Sequence, residues 1–235
     1  MNWTIFFLGL TLGLKHALEA DHLAAVAALT TRVKTLRGAA GLGASWGLGH
    51  TTILVAVGAV LMLGGLVIPQ WLATLLEMAV GVMLVVLGAD VLRRFFKNRV
   101  HFHLHRHNDG QVHLHAHSHK EQPGHTHHDH THASGLSLRA FLVGLMHGMA
   151  GSAALIILTL STLNSLREGL IYLGLFGVGS LVGMALLSVM IAIPLKYSAL
   201  YLSRFNDLIN GLLGTATIFI GLVVLFRTGF SGMLF

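Results

Sequence analysis

Long apolar segments at 3–29, 39–67, 70–92, 138–163, 169–194 and 205–226 constrain this chain more than any other feature. Each is long enough to cross roughly 30 Å of hydrocarbon at about 1.5 Å per residue. In lipid every backbone amide must be satisfied inside the structure, so segments of this length and polarity dictate helices. Composition agrees: 54% of residues are hydrophobic and 10% charged, where a soluble domain carries about a quarter charged. The expected fold is an all-α integral membrane protein with six transmembrane helices. The first segment has no Lys or Arg before it and so lacks the basic start of a signal peptide, which makes it a mature helix. The absence of cysteine excludes disulfides, thiolate metal sites and cysteine nucleophiles together.

The basic residues fall in the connections. Arg32, Lys34 and Arg37 follow the first segment, seven more (Arg93 to Arg139) lie between the third and fourth, and Lys196 and Arg204 lie between the fifth and sixth. The opposite side has Arg167 and Arg227, and Lys15 is left within a segment. The positive-inside rule then puts both termini outside and the long middle loop in the cytoplasm. A net charge of +6 would suggest nucleic acid in a soluble protein. Here topology accounts for it, so the expected surroundings are a lipid bilayer and no nucleic acid.

The two halves echo each other. Gly13-Leu14-Lys15-His16 returns as Gly144-Leu145-Met146-His147, and Trp46-Gly47-Leu48-Gly49 as Phe176-Gly177-Val178-Gly179, at offsets of 131 and 130. Gly81 and Gly88 return as Gly214 and Gly221, at 133. Three helices per half is an odd number, so the second half must be inverted relative to the first. Inverted repeats are a recurrent transporter plan with the site at their interface. The expected organisation is a first half over 1–92, a cytoplasmic loop over 93–137 and a second half over 138–235, with helices 1 and 4 facing each other near the centre.

Within the first segment stands Gly13-Leu14-Lys15-His16-Ala17-Leu18-Glu19-Ala20-Asp21-His22, flanked by apolar residues on both sides. Ionisable groups at that depth are expensive and mark a binding site or pathway. His16, Asp21 and His22 offer two nitrogens and an oxygen, a donor set suited to borderline divalent metals. On a regular helix these three positions point in directions at least about 100° apart. They converge only if the helix opens, as Gly13 would permit, or if other helices complete the site.

This His-x4-Asp-His pattern in its apolar surround resembles the signature of the nickel/cobalt transporter family. Trp46-Gly47-Leu48-Gly49-His50-Thr51-Thr52 resembles that family's second signature. His147-Gly148-Met149-Ala150-Gly151-Ser152-Ala153-Ala154 is similar to a small-residue motif of its shorter, urease-accessory-like members. The resemblance implies a transported Ni²⁺ or Co²⁺ and no resident cofactor. Its six-helix plan is similar to the efflux members and its first motif to the uptake branch, so both directions stay open.

Of 17 histidines, the four outside residues 101–132 are His16, His22, His50 and His147, each within an apolar segment. His50 and His147 are therefore candidate ligands with His16, Asp21 and His22. The alternative for each is a core histidine bonded to a neighbouring carbonyl or hydroxyl. Ser45, Thr51 and Ser152 are candidate secondary contacts, or bond their own helix backbone. Glu77 and Asp90, nearer segment ends, read as interfacial carboxylates or caps.

The middle loop alternates. His101, His103 and His105 precede Asn108-Asp109-Gly110, and His113, His115 and His117 follow it. Period two argues for strands and the central tripeptide for a turn, a hairpin over 100–118. A three-residue turn pairs residue i with 218−i and puts these six histidines on one face. Residues 124–132 lack apolar alternation and read as a disordered tract. The loop is expected to buffer, sense or deliver metal, with a cytoplasmic metallochaperone as a candidate partner.

The favoured function is transmembrane transport of Ni²⁺ or Co²⁺, with no enzymatic activity. A membrane metalloenzyme would need an open metal position and a general base, for which Glu19 alone offers itself. A membrane-bound metallochaperone or metalloenzyme-assembly protein is the other alternative.

Overall fold

The computed structural model describes residues 3–33, 35–66, 68–98, 101–106, 112–117, 133–150, 165–201 and 203–232. Its elements in order are α1 (Trp3–His16), α2 (Ala20–Thr30), α3 (Leu36–Gly64), α4 (Gln70–Asn98), β1 (His101–Arg106), β2 (Val112–His117), α5 (Ala133–Ala150), α6 (Leu166–Tyr201) and α7 (Ser203–Gly232). Helices at Leu36–Gly64, Gln70–Lys97, Leu166–Ser198 and Asn206–Gly229 are long and apolar enough to cross a membrane.

The first segment departs from a single helix. It breaks at residues 17–19 into α1 and the short α2. The break is not at Gly13, as expected from its flexibility. Leu18 and Glu19 donate their amides to the carbonyls of Lys15 and His16 at 3.0 and 3.1 Å, which tightens and ends α1. Glu19, in extended conformation at φ −65° and ψ 149°, then starts α2. Gly13 is small for another reason: a β-carbon there would overlap the Phe176 carbonyl of α6. The fifth segment also departs, since α6 does not stop near Pro194 but runs through it to Tyr201. Of the fourth segment, α5 contains the first part and residues 151–163 lie outside the described residues.

Thr35 caps α3 by accepting from the Gly38 amide at 3.0 Å. Gly65 ends it in the left-handed region at φ 58°, which glycine adopts without steric penalty.

The main helix packings are α1 on α6, α5 on α3, α3 on α6 and α4 on α7. Thus α1 and α5 each sit on a helix of the opposite half, not chiefly on each other as expected. The close approaches come in matched pairs. A β-carbon at Gly144 would overlap the Trp46 carbonyl, just as one at Gly13 would meet Phe176. Likewise Gly49 abuts the Phe141 carbonyl and Gly179 that of Leu10. Partners in each matched pair differ by the offsets of 130 and 131 seen in the sequence. Gly88 against Gly214 and Gly221 against Gly81 repeat the pattern at 133. Small residues let helix backbones approach this closely, which in lipid is a main source of association.

Two apolar clusters form the core. One gathers Ala17, Ala25, Leu29, Leu42, Trp46, Leu84, Met184 and their neighbours, and the other Leu54, Tyr172, Leu173 and Phe176. Along α3 the buried residues Leu42, Trp46, His50 and Leu54 follow at helical i, i+4 spacing. His50 therefore falls between the two clusters. On α6, Tyr172, Phe176, Ser180 and Met184 follow the same spacing and are buried, with Ser180 between the clusters.

In the loop, β1 and β2 pair antiparallel with His101 opposite His117, His103 opposite His115, and His105 opposite His113. That is the 218−i register. The turn at 107–111 and the second histidine tract lie outside the described residues.

Candidate metal centre

The break in the first segment shapes this centre. His16 ends α1, and Asp21 and His22 lie in the first turn of α2. The carbonyl end of one short helix and the amide end of the next therefore meet here, with opposite partial charges. Asp21 Oδ1 accepts from the His22 amide at 2.9 Å and lies 3.0 Å from His22 Nδ1. Its other oxygen, Oδ2, lies 3.2 Å from His147 Nε2 on α5. One carboxylate thus joins α2 to α5.

His50 comes in from α3. Its ring centroid is 5.2 Å from those of both His16 and His22, while His16 and His22 are 4.3 Å apart. His147 lies 4.2 Å from His22. All four imidazoles are at most 1% exposed, against 24% for the Asp21 side chain. The five expected residues are brought together by four helices.

Buried polar atoms are nearly always hydrogen-bonded. Here both nitrogens of His16, both of His50, Nε2 of His22 and Nδ1 of His147 are buried without a partner among the described residues. Glu19 Oε1 comes within 3.0 Å of His16 Nδ1, but not aligned for a hydrogen bond. Among the described residues no carbonyl or hydroxyl satisfies His50, which weighs against the alternative of a paired core histidine. Buried imidazole nitrogens gathered beside one carboxylate are a donor set for a borderline cation. They resolve into two overlapping triads, His16–His22–His50 and Asp21–His22–His147, each with its ligand atoms within 4.8 Å.

Lys15, which as a cation next to the motif would oppose a metal, is exposed while His16 beside it is buried. Thr51 donates to the Gly177 carbonyl of α6 at 2.9 Å, and Ser45 pairs with Ser137 of α5 at 2.6 Å. Both tie helices together and neither bonds its own backbone; Ser152 lies outside the described residues. Asp90 binds Arg32 and Arg94 at 2.5 and 3.0 Å, and Glu77 accepts from Thr228 at 3.2 Å. Neither acid belongs to the two triads.

Three aromatic or polar neighbours were not read from the sequence as part of the centre. Trp46 lies 5.5 Å from both His22 and His147, and Phe176 lies 5.2 Å from His16. Ser180 is fully buried and donates to the Gly13 carbonyl at 3.2 Å. The repeat offset was the available signal. It maps Trp46 onto Phe176 and, one residue beyond the matched glycines, His50 onto Ser180.

Residues 2–228 match the family described as "High-affinity nickel-transport protein". The chain is 32% identical over 232 residues to the "Urease accessory protein UreH" of Bacillus sp. (strain TB-90), covering 99% of this chain and 95% of that protein. No solved structure matches. With the match extending over nearly the whole chain, this protein belongs to the high-affinity nickel-transport family.

Proposed function

We propose that this chain carries Ni²⁺ or Co²⁺ across a bacterial-type inner membrane through the histidine–aspartate centre, with the β1–β2 loop as a cytoplasmic metal buffer. The observation that carries the reading is the set of six buried, unpartnered imidazole nitrogens beside Asp21. Neutral imidazoles and one carboxylate suit these borderline ions. A dication in a low-dielectric interior needs a nearby anion to offset its lost hydration, and Asp21 is that anion.

The two triads share His22, so they offer an ion two alternative donor sets. We read them as successive stations: His16, His22 and His50 hold the ion first, then Asp21, His22 and His147. His50 lies between the two apolar clusters along α3, which supports a centre shielded along that helix. The matched glycine contacts support two repeated halves, and the loop charges support both termini outside. A potential of 100 mV, negative inside, favours divalent entry by about 4.6 kcal/mol, so export needs a coupled ion such as the proton. Metal binding requires deprotonated ligands, which makes proton exchange the simplest coupling.

A second reading is a membrane-bound metalloenzyme-assembly protein, favoured by the name of the 32% identical relative, a urease accessory protein. Accumulation of ⁶³Ni²⁺ in proteoliposomes holding the purified protein separates the two. Flux that follows an imposed metal gradient supports transport. Metal binding without flux supports the assembly role.

A further inference from the structure

The seam between α3 and α6 passes the centre at His50 and Phe176, and the repeat maps this seam onto itself. Gly47 lies against Leu181, where a β-carbon would come 2.8 Å from the leucine Cα, and Gly177 lies against Thr51. The members of one contact are 130 residues from those of the other. The same offset relates Gly58 against Leu173 to Gly43 against Ser188, nearer the two ends of the seam. These ends match in position and differ in chemistry. At Gly58 the facing side chain is a fully buried leucine, clustered with Leu54, Tyr172 and Phe176. At Gly43 it is a fully buried hydroxyl. A β-carbon on Gly43 would stand 2.6 Å from Ser188 Oγ, yet that oxygen has no hydrogen-bond partner among the described residues.

Ser188 has company. Apart from the histidines of the centre, the buried side-chain atoms without a partner among the described residues are Thr30 Oγ1, Trp46 Nε1 and Ser188 Oγ. All three lie to one side of the centre. Thr30 ends α2 just before Arg32, and α2 packs on both α3 and α6. Trp46 is one turn from His50 toward the start of α3, and Ser188 is two turns beyond Ser180 toward Lys196. By the loop charges this is the cytoplasmic side. We infer that the route between the centre and the cytoplasm runs through this half of the α3–α6 seam, past Trp46, Ser188 and Thr30, while the Gly58–Leu173 half is a fixed seal. The inference rests on the transport reading above.

A buried hydroxyl without a partner costs the closed seam free energy that water restores when the helices part. Parting the opposite end would instead expose Leu173 and its apolar neighbours, which water penalises. Opening is therefore favoured at Ser188 and opposed at Leu173. A lone hydroxyl is also a weak ligand for a borderline cation beside imidazole. These groups wet the route and do not hold the ion, which leaves retention to the histidines.

The chain has no cysteine, so a single introduced thiol reports without background. Full-length Ser188→Cys, Thr30→Cys and Leu173→Cys are reconstituted in proteoliposomes and treated from either face with a membrane-impermeant methanethiosulfonate. Asn108→Cys marks the face that bears the loop. Ser188→Cys and Thr30→Cys are expected to react from the loop face roughly tenfold or more faster than from the other, because labelling tracks the open population. Leu173→Cys should react slowly from both. Two reporters keep the test intact where one substitution prevents folding. Ser188→Leu, which gives this end the side chain of the other, should abolish ⁶³Ni²⁺ flux while calorimetric Ni²⁺ affinity in detergent is retained. Slow labelling of both reporters from the loop face, faster labelling from the opposite face, equal rates at Leu173→Cys, or normal flux in Ser188→Leu overturns the inference. Wild-type vesicles that bind Ni²⁺ without flux overturn the transport reading instead, and the labelling still decides whether the seam parts.

Discussion

Asp21 on α2 and His147 on α5, 126 residues apart, meet through Oδ2 and Nε2 at 3.2 Å. The same carboxylate holds His22 through its other oxygen at 3.0 Å. The turn at residues 17–19 lets Asp21 and His22 sit at the start of a new helix and face α5.

The matched glycines should be equally intolerant of a methyl group. Gly13→Ala and Gly144→Ala each drive a β-carbon into a carbonyl of the opposing helix. Overpacking of this kind costs about 1–3 kcal/mol. Gly41, exposed on α3 with nothing within 4 Å, is the control. Gly41→Ala should gain up to about 1 kcal/mol from helix propensity. Thermal unfolding in detergent checks all three, and unequal losses at positions 13 and 144 would break the claimed equivalence of the halves.

Asp90 is a carboxylate with a different task. It joins Arg32, just beyond α2, to Arg94 within its own helix. The group is about one-third exposed, and exposed pairs are screened by solvent. Asp90→Asn should cost at most about 1 kcal/mol in stability and leave ⁶³Ni²⁺ flux near wild type. A flux loss matching that of a centre residue would place Asp90 in the pathway.

Deleting residues 101–132 should preserve flux but change its dependence on metal concentration. Thirteen of the 17 histidines leave with that segment, yet all four in the centre remain. Initial rates across a Ni²⁺ series give the answer. Complete loss of flux in a variant that still inserts and folds would make the loop part of the route.

Much of the centre was legible because ionisable residues in apolar segments are hard to place elsewhere. His16, Asp21, His22, His50 and His147 stand out in this way, and alternation with the Asn108-Asp109-Gly110 turn yielded the pairing of His103 with His115. The position of the break was not legible. Ala17-Leu18-Glu19 contains neither glycine nor proline, and local propensity yields to tertiary packing there. Gly13 looked like a hinge, but its lack of a side chain serves the approach of Phe176. Ser180 escaped notice because a serine in an apolar helix commonly bonds its own backbone. Its acceptor is instead a carbonyl 167 residues away.

The most direct measurement is ⁶³Ni²⁺ flux into proteoliposomes for Asp21→Asn and His22→Ala at matched protein content. Asp21→Asn preserves size but removes the anion shared by His22 and His147. His22→Ala removes the ligand common to both triads. Each should lower flux roughly tenfold or more, as severely as His16→Ala, with the fold retained. Normal flux from both variants would contradict transport through this centre.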